Sequence, residues 1–426
     1  FSGTGLRFSG TGLRFSGDNG DQSVESLESE TLEDVPIDQG ALVEDVSANR
    51  SSAPEAAEGF TSPDTTNFQV QVSGFNDAST EYALRVAVTE FGDACPAADR
   101  PITNVAFSGS GSTLVLYPES RFTATDQGTI QASLDNLTTN WGPVTVGKVT
   151  TSGTDWTTET GACSVFAANA VAEDFAAQVQ ALAQNQSIEH VMIIGGDDKL
   201  PFYRSADTTL IANEANYAST VGGQNALTSA LATQHVLTDD IYGDDDPWPF
   251  LNRLYFTPDR AVGRLVESAA DIAGQIDQFV ASSGLIAVDR AFTAGYDFLS
   301  DAAVEIDANL GEVSTSTNSL ISDIGTIPDW SIADLTGALG SGEDVKIASI
   351  NGHMDQGLLL SAAGDAQGEN PDPSEVEGPD VVIPSGIDGA VMFTAGCHAG
   401  FSQPYANALR TDDWAQAVAG GPAAVY

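Results

Sequence analysis

From about residue 112 onward, short continuous apolar runs alternate with segments of helical character, and this alternation leaves few architectures open. Ser112-Thr-Leu-Val-Leu-Tyr, Val144-Thr-Val-Gly-Lys-Val and His190-Val-Met-Ile-Ile-Gly-Gly read as buried strands. So do Arg260-Ala-Val-Gly-Arg, Ala291-Phe-Thr-Ala-Gly-Tyr, Val345-Lys-Ile-Ala-Ser-Ile-Asn-Gly-His353 and Ala390-Val-Met-Phe-Thr-Ala-Gly-Cys397. Residues 128–140, 165–184, 269–282 and 301–310 carry the intervening helices. Strands that are apolar on both faces and separated by helices predict a largely parallel sheet covered on each side, an α/β/α sandwich of three layers.

The chain before residue 112 has a different character. Residues 1–17 hold Phe-Ser-Gly-Thr-Gly-Leu-Arg twice and then Phe-Ser-Gly, too few copies for a solenoid. Rich in Asp, Glu, Ser, Ala and Pro, residues 18–65 read as a disordered acidic linker, so 1–65 is expected to be unstructured. In residues 66–111, Asn67-Phe-Gln-Val-Gln-Val-Ser and Glu81-Tyr-Ala-Leu-Arg-Val-Ala-Val alternate apolar and polar positions, the pattern of a partial antiparallel β module. Such a module is too short to stand alone, so it packs on the next domain or completes a sandwich with strands from elsewhere. Residues 112–426 form the main domain. The chain opens on Phe1, shows no signal peptide, and ends on Gly420-Gly-Pro-Ala-Ala-Val-Tyr, which reads as a strand beginning; a natural continuation beyond Tyr426 is expected.

Charge narrows the partners. Sixty acidic residues face 15 basic ones, giving a net charge of −45, which argues against nucleic acid or an anionic membrane. No apolar run reaches the length of a membrane span. Acid spread through every segment, with Ala, Gly and Thr abundant, fits a protein working in concentrated salt, where self-repulsion is screened within a few ångströms. Cys95, Cys163 and Cys397 are far apart and form no C-x-x-C pair. They indicate neither a disulfide framework nor a zinc knuckle, although Cys95 and Cys163 could bridge and leave Cys397 free.

Two of the apolar runs end on Gly plus a reactive residue, Gly352-His353 and Gly396-Cys397. Strands in open α/β sheets deliver their last side chains to the carboxyl edge, where ligands bind. An imidazole and a thiol delivered there suit nucleophilic chemistry, with sulfur attacking a carbonyl while the ring moves the proton. His398 is a rival base, but neighbouring residues at a strand end point apart, which favours His353. Metal ligation by Cys397, His398 and His353 is a further reading, with too few ligands for a structural zinc site.

The ordered set Leu114-Val-Leu-Tyr-Pro, Val191-Met-Ile-Ile-Gly-Gly-Asp-Asp-Lys-Leu-Pro, Thr238-Asp-Asp-Ile-Tyr-Gly, Val262-Gly-Arg-Leu, Asn351-Gly-His353 and Ala395-Gly-Cys397-His-Ala-Gly resembles the gingipain-like cysteine peptidases of the caspase-like superfamily. His353 precedes Cys397 by 44 positions, close to the caspase spacing of about 50. The resemblance implies a caspase-like fold and an endopeptidase, extracellular or on the cell surface, acting on protein or peptide. Cys397 would be the nucleophile and form a thioester, and His353 would protonate the leaving amine and then help activate water. The N–H groups of Cys397 and of the residue after His353 would hold the oxyanion, with Gly352, Met354 and Gly396 shaping the turns. Met354 departs from the family's Gly and would restrict that turn.

Substrate choice after basic residues would follow from an acid in Gly295-Tyr-Asp297-Phe-Leu-Ser-Asp301: Asp301 as the pocket carboxylate, with Asp297 as a second candidate or as the group orienting His353. The chemistry needs no cofactor. The family's structural calcium makes the acidic loop with Asp239, Asp240 and Asp244 a candidate cation site, without the spacing of an EF-hand. Gly195-Gly196 lacks nucleotide-binding spacing, and its neighbouring acids would repel phosphate. A different reading is a catalytically idle caspase-like domain serving as a surface binding or adhesion module. Oligomeric state is not encoded in any motif.

Overall fold

The computed structural model describes residues 102–152, 155–159, 161–207, 213–218, 220–221, 225–250, 253–266, 268–286, 288–322, 329–340, 345–367, 371–383, 390–402 and 413–420. Three strands precede them: β1 (Gly5–Ser9), β2 (Val43–Ala48) and β3 (Gln69–Ser73). β1 pairs antiparallel with both others, so the 1–65 segment is not wholly unstructured as the composition suggests. Leu6 and Phe8 in β1 and Val43 and Val46 in β2 are strand-forming residues set in a polar background that masks them from a composition argument. The strand expected over residues 81–88 lies outside the described residues, as do residues 421–426.

The first large sheet begins at β4 (Ile102–Gly109) and β5 (Thr113–Tyr117). Helix α1 (Ala124–Asn140), β6 (Thr145–Ser152), α2 (Gly161–Ala183) and β7 (His190–Ile194) follow. A small antiparallel ladder, β8 (Tyr203–Ala206) with β9 (His235–Thr238), encloses the short helices α3 (Glu214–Tyr217) and α4 (Ala226–Ala232). After the hairpin β10 (Trp248–Phe250) and β11 (Arg253–Tyr255), β12 (Ala261–Leu265) returns to the sheet and α5 (Ala269–Ala281) covers it. The order is β12-β7-β5-β6-β4, parallel except for β4. β4 pairs antiparallel with β6 from Ile102↔Ser152 to Gly109↔Thr145, which moves the expected boundary at 112 back by one strand. The tight return after β4 needs Gly109, whose φ is +95° and where a Cβ would lie 2.2 Å from the Val144 carbonyl oxygen.

From Leu114 to Tyr117 every residue of β5 is buried, both faces being covered, as the continuous apolar run requires. Leu114 and Leu116 pack with Val171, Phe175 and Val179 of α2. Val115 and Tyr117 pack with Ile130 and Leu134 of α1 and Ile272 and Ile276 of α5. The 3.6-residue spacing of the helical partners gives each helix one apolar stripe. α5 starts at a capping box, Ser268 and Asp271, an arrangement of about 1 kcal/mol per cap.

A second sheet is built from β13 (Arg290–Gly295), α6 (Ser300–Val313), β14 (Ser316–Ile321), α7 (Ile332–Leu339) and β15 (Ile347–Asn351). Then come β16 (Leu359–Leu360), α8 (Ala362–Asp365), β17 (Val376–Glu377), α9 (Pro379–Val382), β18 (Val391–Phe393) and α10 (Trp414–Gly420). Its order is β14-β13-β15-β18, all parallel. One face packs Phe292, Ile350 and Met392 against Trp330, Leu335, Leu339, Trp414 and Val418. On the other face α6 comes so close that a Cβ on Gly295 would lie 2.3 Å from the Ala303 Cβ. The parallel strands are thus shared between two sheets, a division the alternation of strands and helices does not reveal. α10 of the second half packs on α5 of the first, and no helix among the described residues is long and apolar enough to cross a membrane.

Candidate active site

β15 and β18 are neighbours in register, Ile347↔Val391 through Ser349↔Phe393. His353 and Cys397 each stand four residues beyond the last paired positions, Ser349 and Phe393, at the same carboxyl edge. Adjacent strands lie about 4.8 Å apart, so the two loops leave the sheet side by side. Asn351 knits them, its Nδ2 donating to the Ala294 carbonyl while its Oδ1 accepts the Ala395 N–H at 3.1 Å. Cys397 is free and exposed, and His353 is 41% exposed at its side chain, so thiol and ring both reach solvent.

The imidazole is held in place from several sides. Tyr296 and Phe298 flank the ring at centroid distances of 5.7 and 5.5 Å. The His353 N–H donates to the Tyr296 hydroxyl at 3.0 Å, and that hydroxyl donates to the Leu360 carbonyl at 2.7 Å. Burial pushes the Tyr296 phenol well above its ordinary value, so it stays protonated and keeps both bonds. Nε2 of His353 lies 3.4 Å from Asp297 Oδ2. Asp297 lies two residues beyond the end of β13 and adopts a left-handed φ of +53°, uncommon for a residue other than Gly and concentrated at functional positions. With Nε2 turned to the carboxylate, Nδ1 is the nitrogen left for the thiol.

Met354 does not disturb the turn as expected. Its φ is not among the left-handed ones, so no glycine is required there. The side chain is buried beneath the nucleophile loop, and a Cβ on Gly396 would meet its Sδ at 2.5 Å. The hairpin hydrogen bonds are made by the flanking residues, Leu360 N–H to the His353 carbonyl and Asp355 N–H to the Leu358 carbonyl. The Met354 N–H therefore stands outside the ladder. Gly352 is needed for close approach, since a Cβ would lie 2.7 Å from the Tyr296 ring.

The His398 ring is engaged by helix α3. Its φ of +54° turns the chain, its ring stacks on Tyr217 at 3.6 Å, and Nε2 lies 3.0 Å from Glu214 Oε2. Tyr217 also accepts the Gln356 N–H at its hydroxyl, from the loop that follows His353. Helix α3, which no motif had singled out, thus contacts both reactive loops. Its sequence signal is slight: Asn213 capping a four-residue helix.

Asp301 is exposed in the first turn of α6 and accepts the Ala302 N–H at 2.8 Å, the position of an ordinary helix N-terminal acid. Asp297, not Asp301, is therefore the acid brought to His353.

The proposed calcium set is not assembled. Both carboxylate oxygens of Asp239 are taken by Arg264, at 2.6 and 2.8 Å, and Asp240 is exposed in the following turn. Asp244 instead groups with Asp246 and Asp259, ligand atoms within 4.8 Å of one another, while its own oxygens accept the N–H groups of Asp246 and Thr257. The other metal-sized group among the described residues is Asp297, His353 and Asp365; neither group includes Cys397. Cys163 is disulfide-bonded to a partner outside the described residues.

Among solved structures, the chain is similar to the Arg-specific cysteine proteinase gingipain R, at 12% identity and a TM-score of 0.40, over 73% of this chain and 59% of that one. It is also similar to a structure described as a protease, at 11% identity and a TM-score of 0.38, over 72% and 56%. The chain thus spans less than two thirds of either structure's length. No protein-family model matches the sequence, and no curated protein matches it.

Proposed function

We propose that the protein is a cysteine-type endopeptidase of caspase-like architecture, with Cys397 as nucleophile and His353 as its proton-transfer partner. The observation that carries this reading is the paired register of β15 and β18, from which both residues emerge at equal reach on one sheet edge. His353 takes the thiol proton as sulfur attacks the scissile carbonyl, and electrons move onto an oxyanion facing the N–H groups of Cys397 and Met354; the C–N bond then breaks as the carbonyl re-forms. His353 gives a proton to the departing amine, leaving a thioester. It then takes a proton from the water that hydrolyses the thioester, and the acid leaves as the thiol is restored. Asp297 is the positioning residue for Nε2 of His353. No metal or cofactor enters these steps.

A preference for basic residues rests on Asp301 alone, whose exposed helix-start position gives it little support. A peptide panel with Arg, Lys, Leu or Asp before the cleaved bond tests both levels. Hydrolysis that vanishes in Cys397→Ala supports the peptidase; equal cleavage across the panel removes Asp301 from the account. Peptide turnover absent in the wild type and in every salt concentration would contradict the enzyme and favour the surface-binding alternative. The −45 charge supports work in concentrated salt, for which turnover rising with KCl is the check.

A further inference from the structure

Two carboxylates converge on one imidazole nitrogen, where a single one is enough to orient the ring. Nε2 of His353 is 3.4 Å from Asp297 Oδ2 and 3.9 Å from Asp365 Oδ1, and the three ligand atoms all lie within 4.8 Å of one another. At 3.9 Å the Asp365 oxygen is too far for a hydrogen bond to Nε2. The separations do fit another geometry. A tetrahedral ion bound at about 2.0–2.1 Å keeps its ligand atoms roughly 3.3–3.5 Å apart. Small side-chain shifts would bring these donors onto such a shell.

The donor set has the right chemistry as well. One neutral imidazole and two carboxylates balance a divalent charge, and a nitrogen donor favours a zinc-class ion over calcium, which takes six to eight oxygens. The side chains of His353, Asp297 and Asp365 are 41%, 30% and 34% exposed, leaving an open side for entry and for a water as fourth ligand. The set is also pre-positioned. Tyr296 and Phe298 flank the ring, Asp297 follows the end of β13, and Asp365 closes helix α8, whose first turn is capped by Ser361.

We propose that Asp297, His353 and Asp365 form a binding site for a zinc-class divalent ion, which takes the Nε2 lone pair, leaves the ring's proton on Nδ1 where it cannot accept one from the thiol, and so reversibly arrests the thiol chemistry at Cys397. The binding stands on geometry alone, whereas the arrest rests on the peptidase reading. Binding is tested by titrating Co²⁺ into the full chain and following its visible absorption, with Zn²⁺ as displacer. One intense tetrahedral band per chain is expected, at least tenfold weaker in binding for Asp365→Asn and absent in His353→Gln, but unchanged in Asp244→Asn. Equal Co²⁺ binding by wild type and Asp365→Asn, or weak absorption that follows Asp244 instead, overturns the site.

Arrest is read from alkylation of Cys397 by iodoacetamide. Zn²⁺ should slow it at least tenfold in the wild type and leave Asp365→Asn and Asp365→Ala at their own metal-free rates, with thermal melts confirming that both variants fold. No effect of Zn²⁺ on the wild type overturns the arrest. A cobalt band without His353-dependent alkylation keeps the metal site and removes the peptidase. His353-dependent alkylation without a cobalt band does the reverse.

Discussion

Both large sheets bring their strands to a carboxyl edge, yet the two edges are finished in opposite ways. On the first, arginines close the space. Arg204 makes a fully buried two-pronged pair with Asp197, both contacts at 2.7 Å, and Arg264 grips Asp239 while donating to the Gly195 and Leu200 carbonyls. On the second edge no cation caps the strands among the described residues; a half-exposed imidazole and an exposed thiol stand there with two carboxylates behind the ring. The Gly-Gly-Asp-Asp stretch at 195–198 is thus accounted for by packing and ion pairs, whereas Gly352-His353 and Gly396-Cys397 stand at the open edge. An edge filled with paired charge is a stability device, and an edge left open is available to a ligand.

Exchanging the readouts is the sharpest way to break that comparison. Cys397→Ala should remove peptide hydrolysis by a factor on the order of 10⁴ or more and leave the melting temperature unchanged. Arg204→Met should do the opposite. It strands Asp197 in the interior at a cost of about 3–5 kcal/mol in denaturant unfolding, while kcat/KM of the folded fraction holds. Pairing it with Asp197→Leu should restore much of that loss, which a purely steric role for Arg204 would not allow.

Acid sensitivity should also belong to the first half. Burial holds His235 down to about 4, so it stays neutral in the folded chain. The unfolded imidazole, near 6.5, takes its proton first as the pH falls. Stability is therefore full above about pH 6.5 and drains away toward pH 4, by up to about 3 kcal/mol. His235→Gln should flatten the dependence of unfolding free energy on pH across that window; an unchanged slope would assign acid sensitivity elsewhere. The smallest effect concerns the link between the halves. Tyr217→Phe loses the acceptor for the Gln356 N–H but keeps the stack on His398, so it should cost about 1 kcal/mol and lower kcat more than it raises KM.

Legibility in the sequence follows the same divide. Runs such as 191–194 and 291–295 are largely buried strands and are readable because cover on both faces favours apolar residues at successive positions. β14 escaped because Ser-Thr-Asn-Ser at a half-exposed edge carries no such demand. That there are two sheets was hidden, since alternation of strand and helix is the same for one sheet or two. His353 and Cys397 were legible because each follows a strand and a Gly. Asp365 was not: it comes 12 residues after His353, at the end of a four-residue helix, and only the fold returns it to the ring. Asp239 misled for a related reason. A run of acids looks the same whether it awaits a cation or already holds an arginine from 25 residues away.

If sulfur and ring serve one reaction, covalent capture of the thiol must depend on the ring. Wild type, His353→Ala and His398→Ala are each treated with a peptide bearing an acyloxymethyl ketone, and the modified residue is read by mass spectrometry. A shared reaction gives a single thioether on Cys397 in the wild type, a loss of at least a hundredfold in rate for His353→Ala, and a smaller loss for His398→Ala. Capture at the same rate in wild type and His353→Ala would contradict it.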